Sequence, residues 1–357
     1  MSRFLTCFTA VFLAASGVAW AASANPDDSF GVIEVGSSGI KALVVEQTPN
    51  DPEGSPMRTL KQYDPVDKNA FTVDAAASGR VSEAVKRIHQ EMQDEFKLPK
   101  GHFFVVGSSG LPAEVRRVLT DTIYDEGVKM DFITPEMEAR YEFQGIVPRG
   151  RYPEVVLVDI GSGNTKGGYV EKLTPELKIA TFNIALGTKT YAQEINKARG
   201  DGAFRVTAEV LRKEKLIPLI AEPVQQFPGL QNSPRLYLAG GICWAMATLL
   251  HPNSVDSAWT TLTKDEIKSF CDRAMSNPRQ LLTPNFDKVD AKVLDKVKDE
   301  TARIGKVFNE DQLMAGAQIL ITFLDRIHYQ EKKAIFFARR GLYAWPAGYV
   351  LEKIQAK

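Results

Sequence analysis

Two stretches of this chain share one local grammar, and that repetition constrains the fold more than any other feature. Phe30 to Val45 reads as an apolar strand, a Gly/Ser turn and a second apolar strand. Val155 to Val170 reads the same way, about 125 residues further on. Each first strand carries one acid near its end, Glu34 and Asp159. Both patterns predict β-hairpins, with glycines permitting the tight turn. Small side chains in such turns leave backbone N–H groups able to surround an anion. A single turn of this kind is a weak signal. Two, followed by a third strand-and-turn at Phe103–Gly110 and a fourth at Leu236–Gly241, predict two related α/β domains facing a shared cleft.

The rest of the chain fits that frame. At 357 residues it is long enough for two domains. Its Lys plus Arg and Asp plus Glu counts are both 44, a formal net charge of zero, which tells against a nucleic-acid binder that works through bulk positive charge. Apolar spacing predicts a helix over 81–96, and Thr263-Lys-Asp-Glu266 reads as a capping box opening a helix to about Met275. Asn309 is placed to cap a helix running to Ile327. Gln225–Pro234 and Asn277–Lys288, rich in Pro and Asn, read as surface loops. The four histidines form no metal-ligand cluster.

The first 24 residues differ from the rest: Arg3, an apolar run to Trp20, then small residues at Ala19, Ala21, Ala22 and Ala24. That order is the pattern of a cleavable signal peptide. As a membrane anchor the run, of about 17 residues, sits at the lower limit for a span and ends wrongly. Cleavage predicts a periplasmic or secreted chain with no stable membrane insertion. Cys243 and Cys271 would remain, either pairing or staying buried as thiols.

The ordered motifs resemble those of the exopolyphosphatase / guanosine pentaphosphate phosphohydrolase (Ppx/GppA) family, within the actin-like ATPase superfamily. Ile33–Ser38 looks like the first phosphate loop, Asp-x-Gly-Ser-Asn-Ser in the family. Val106–Leu111 resembles its Ala-Thr-Ser-Ala-Leu-Arg turn, and Ile133–Arg140 the segment bearing the catalytic glutamate. Val158–Thr165 is similar to the second phosphate loop, Asp-Ile-Gly-Gly-Gly-Ser-Thr-Glu. Leu186-Gly187, Asp311 with Ala315-Gly-Ala317, and Arg340-Gly-Leu342 follow in family order. The resemblance implies two actin-like (ribonuclease H-like) α/β domains with a phosphate-binding cleft between them. The expected division is a signal peptide at 1–24, a first domain at 25–147 and a second at 148–357, with a last helix near 341–355 packing back on the first.

By the same resemblance, Glu138 is the catalytic carboxylate, with Glu136 its nearest competitor. Gly36, Ser37, Ser38, Gly39, Ser108, Ser109, Gly161, Ser162, Gly163, Asn164, Thr165 and Lys166 would bind phosphate, and Lys41 would help neutralise it. Glu34 and Asp159 would hold Mg²⁺. The expected partner is polyphosphate or a nucleotide, and the reading leaves room for a homodimer. Three positions depart from the family pattern: Glu34 replaces Asp, Pro112 replaces a phosphate-binding Arg, and Lys166 replaces the Glu that ends the second loop. The expected function is an exported phosphoanhydride hydrolase. The departures keep a catalytically weak phosphate-binding relative in view, and an apyrase-like nucleotidase is the third reading.

Overall fold

The computed structural model describes residues 25–36, 39–48, 54, 56–66, 77–111, 113–120 and 127–355. The expected signal peptide, Ser37, Ser38 and Pro112 lie outside the described residues. Two sheets dominate. The first runs β3-β2-β1-β4-β5, built from β1 (Ser29–Gly36), β2 (Gly39–Gln47), β3 (Met57–Val66), β4 (Phe103–Gly107) and β5 (Met130–Phe132). The second runs β10-β11-β9-β6-β7-β8, from β6 (Val155–Ile160), β7 (Thr165–Lys172), β8 (Lys178–Ile184), β9 (Arg235–Ala239), β10 (Trp259–Leu262) and β11 (Ala334–Ala338).

The sheets repeat one plan. In each, an antiparallel three-strand meander is followed by a strand parallel to its first member, β4 beside β1 and β9 beside β6. This is an α/β architecture with two similarly built sheets, as the repeated hairpins predict. β1 and β6 are buried along their whole length, as central strands covered on both faces should be.

The helices are, in chain order, α1 (Ala77–Phe96), α2 (Ala113–Leu119), α3 (Pro135–Ile146), α4 (Thr188–Arg199), α5 (Phe204–Leu211), α6 (Ile217–Gln226), α7 (Gly229–Asn232), α8 (Gly241–Leu250), α9 (Lys264–Ser276), α10 (Pro278–Leu281), α11 (Leu294–Val307), α12 (Glu310–Arg326) and α13 (Ala344–Gln355). The capping boxes at Thr263 and Asn309 form as their sequences predict. The two stretches read as loops are partly helical: α6 runs to Gln226, and α7 and α10 follow. The reason is that Pro278 stands at a helix start, where its missing N–H costs nothing, while Leu230 and Leu281 are buried anchors. Cys243 and Cys271 are both buried free thiols. Among the described residues no helix is long and apolar enough to cross a membrane.

α3 lies between the sheets and touches both. Tyr141 joins the cluster of Val32, Leu43 and Val45 from the first sheet, while Phe143 and Ile146 join Val155, Leu157 and Tyr237 from the second. α13 packs along α3 and puts Trp345, Tyr349 and Val350 into the first sheet's cluster. The two helices meet backbone to backbone. A Cβ at Gly348 would land on the Tyr141 carbonyl, and one at Gly145 on the Ala344 carbonyl. Arg140 closes the contact with an ion pair to Glu352 at 2.5 Å.

Gly348→Ala should therefore destabilise the fold by about 1–3 kcal/mol through overpacking. Gly79→Ala, exposed in α1 with nothing within 4 Å of a new Cβ, should stabilise it by up to about 1 kcal/mol. Chemical denaturation of both variants checks the contrast.

Candidate functional site

The second hairpin turn is built to present amide hydrogens. The carbonyl of Gly161 accepts from Thr188 N at 2.9 Å, and that of Ser162 accepts from Lys189 N at 2.8 Å. The Gly163 carbonyl accepts from Thr190 Oγ1 at 3.2 Å. All three acceptors therefore point at the N-terminus of α4. In a planar trans peptide the following N–H points the opposite way. The N–H groups of Ser162, Gly163 and Asn164 accordingly face away from α4, and they donate to no protein acceptor among the described residues. Consecutive amides without protein partners are groups that can receive an anion. Gly187 is required where the turn meets α4, since a Cβ there would lie 2.6 Å from Asn164 N and 2.7 Å from Gly163 N.

The first domain supplies Glu138 with its anchor. Arg116 donates to the carbonyls of Ser108 at 3.2 Å and Ser109 at 2.7 Å, holding the turn after β4. The Ser109 N–H is thereby turned outward and donates to Glu138 Oε2 at 3.0 Å. Glu138 itself is placed by α3, whose start is fixed by Thr134 capping Met137 N and by Pro135 in the first turn. Gly36 lets the first hairpin come close: a Cβ there would be 2.9 Å from Glu34 Oε1 and 3.2 Å from Ser108 Oγ.

The centre of the site is Lys166. Its ammonium reaches Asp159, and lies 3.2 Å from Glu142 Oε2 and 3.4 Å from Glu138 Oε1. All four residues are less than one-tenth exposed. Burial alone would push the Lys166 ammonium down, but Asp159, Glu142 and Glu138 outweigh it and hold it well above the ordinary lysine value. Burial likewise works to raise Glu138, yet Lys166 and the Ser109 N–H together keep it below the usual carboxylate range. Glu142 goes the other way: burial, reinforced by Asp159, carries it well above that range. Glu34 is also raised, by burial first, with Lys41 opposing from 3.2 Å.

The expected site residues therefore fall into three groups. Glu34, Ser108, Ser109, Glu138, Asp159 and Lys166 are linked by contacts or charge, Gly36 and Gly39 adjoin Glu34 and Ser108, and Gly161 to Asn164 form the turn directly after the strand of Asp159. Thr165 is buried, and its hydroxyl is taken by the Leu186 carbonyl at 2.9 Å. Glu136 is exposed on another side of α3 and takes no part in the cluster. Lys166, expected on phosphate, points instead into the acids. Sequence reasoning missed Glu142, whose signal was its position four residues after Glu138 on the same helix face. It also missed the role of Arg116 and that of Gly240. At φ 88°, Gly240 folds its backbone against the Asp159 carboxylate, where a side chain would collide.

The donor set does not suit a resident divalent ion. Glu34 and Asp159, the expected ligands, each carry a lysine partner. Among the described residues no group of His, Cys, Asp and Glu is arranged to hold a metal.

Comparison with known proteins places the fold. No protein-family model matches the chain, and no curated protein matches it in sequence. Solved structures do. A Ppx/GppA family member from Aquifex aeolicus matches with a TM-score of 0.61 at 15% identity, covering 92% of this chain and 98% of that one. An exopolyphosphatase from Cytophaga hutchinsonii matches at 0.57 and 15%, covering 92% and 98%. An exopolyphosphatase-like protein matches at 0.57 and 13%, covering 92% and 99%. At these identities the likeness establishes the fold: this chain has the Ppx/GppA architecture.

The opposite shifts of Glu138 and Glu142 give a pH test. Because Glu142 keeps its proton in the folded chain to higher pH than in the unfolded one, its contribution is present at low pH and lost as pH rises. Glu142→Gln should remove that loss. Its melting temperature relative to the native chain should climb as pH rises above the ordinary carboxylate range. Thermal melts over that rise in pH check it.

Proposed function

We propose that the chain is an exported phosphohydrolase of the phosphoanhydride class, acting on inorganic polyphosphate or a nucleoside polyphosphate. The observation that carries this reading is the position of Glu138. It is a buried carboxylate, fixed on the Ser109 N–H, standing between the acid-bearing hairpins of two domains. The amides of Ser162, Gly163 and Asn164 are its phosphate cradle, and the Gly36–Gly39 turn is the matching element of the first domain. Glu138 remains ionised at neutral pH and orients the attacking water. A carboxylate held below its usual range is a weak base, so turnover is slow. Export rests on the N-terminal segment. That location favours polyphosphate or scavenged nucleotides over cytoplasmic substrates.

One observation favours a second reading, recognition without turnover. The Lys166 ammonium faces one oxygen of Glu138 and the Ser109 N–H the other, so a water would share either oxygen with a donor already in place. An apyrase-like preference for nucleotides is a matter of substrate, settled by the same assay.

The test is phosphate release by residues 25–357 from long-chain polyphosphate, ATP and GTP, each with Mg²⁺ and with EDTA. Release from one of them, reduced at least about 100-fold in Glu138→Gln with binding retained, is the expected result. Binding of the same compounds by the native chain without release would establish the recognition reading instead.

A further inference from the structure

Lys41 and Lys166 are not independent features. In the β1–β2 ladder Glu34 stands opposite Lys41, and in the β6–β7 ladder Asp159 stands opposite Lys166. Directly opposed residues share one face of a sheet, which is why both pairs close. Each acid precedes its turn glycine by two residues, and each lysine follows its acid by seven. The two domains thus place the same acid–lysine pair at the same point of the same hairpin. The pairs are joined by α3: Glu138 lies 3.4 Å from the Lys166 ammonium, and its charge is felt by Glu34.

We propose that Lys41 and Lys166 are resident cations of this fold, one for each domain. The Lys166 ammonium occupies the point among Asp159, Glu138 and Glu142 that a divalent ion would otherwise take. Three carboxylates from β6 and α3 come within reach of that one ammonium, and carboxylate oxygen is the ligand type that hard divalent ions take. Ammonium and metal cannot both stand there. β7 lies between β6 and β8, so the lysine does not withdraw by moving its strand. Glu142 Oε2 sits 3.2 Å from the ammonium without an aligned hydrogen bond. That ammonium is the cation facing this buried oxygen, which is left without one once the ammonium is removed. The consequence for ligands, which rests on the proposed function, is that phosphoanhydrides bind with no metal held by the protein.

Mn²⁺ is the probe, with the paramagnetic resonance signal of the free ion reporting binding to residues 25–357. The native protein should take up none in the cleft. Lys166→Ala should bind about one Mn²⁺ per chain, at least about tenfold tighter than the native chain. That binding should vanish in Lys166→Ala/Asp159→Asn, and Mn²⁺ should raise the melting temperature of Lys166→Ala alone. Lys166→Met keeps the apolar stem and should behave as Lys166→Ala does. Failure of both folded single variants to bind overturns the proposal. So does Mn²⁺ binding by the native chain that Asp159→Asn abolishes, a comparison that decides even if neither lysine variant folds. Pyrophosphate should bind the native chain equally in EDTA and in Mg²⁺, and a tenfold or greater loss in EDTA would overturn the metal-free claim. Absence of pyrophosphate binding in both buffers would count against the proposed function alone, and the Mn²⁺ results would still decide the cation site.

Discussion

The buried contact between one ammonium and three carboxylates is the constraint on which the rest of this site depends. Asp159 belongs to β6, Lys166 to β7, and Glu138 with Glu142 to α3. Four ionisable groups out of water are tolerated only when charge and hydrogen bonding are shared among them. Taking away one partner from such a group costs about 3–5 kcal/mol, because the others stay buried and uncompensated. The cluster therefore fixes the position of α3 against the second sheet. Through the Glu138–Ser109 hydrogen bond it also fixes the turn after β4 in the first.

The supporting structure is organised around that helix. α3 is polar toward the cleft, yet apolar toward both sheets, with Tyr141 in one core cluster and Phe143 in the other. α13 holds it from behind at a spacing that only glycine permits on both helices. By packing on α3 and on the first sheet's core cluster, α13 holds that helix against the first sheet. The turn at Ser162–Asn164 is held for a related reason: the Gly161, Ser162 and Gly163 carbonyls are taken by the N-terminus of α4.

Much of this was legible in the chain itself. Alternating apolar residues and Gly/Ser turns marked the hairpins, and Thr263 and Asn309 marked two helix starts through side-chain chemistry that acts within four residues. The short helices α7 and α10 were less visible, because Pro and Asn serve as well to begin a helix as to form a loop. The site was only half readable. Lys166 stood out as a reversal of charge, but whether its ammonium faced ligand or acids depended on cross-strand register with Asp159 and on the approach of α3. Gly240 was invisible for the same reason, and Glu142 showed only as a neighbour of Glu138 on one helix face: their roles arise from contacts across 81 and 17 residues of chain, with Asp159 as the meeting point. Gly348 meets Tyr141 across a still longer stretch of chain, and nothing local announces it.

The central claim is that phosphate is held by backbone amides beside an ammonium already paired with acids. The most direct test is a crystal structure of residues 25–357 with pyrophosphate, grown in Mg²⁺. The account predicts phosphate oxygens on the N–H groups of Ser162, Gly163 and Asn164, with the Lys166 ammonium still among Asp159, Glu138 and Glu142. A Mg²⁺ ion bound to Asp159, with Lys166 turned out onto the phosphate, would contradict it.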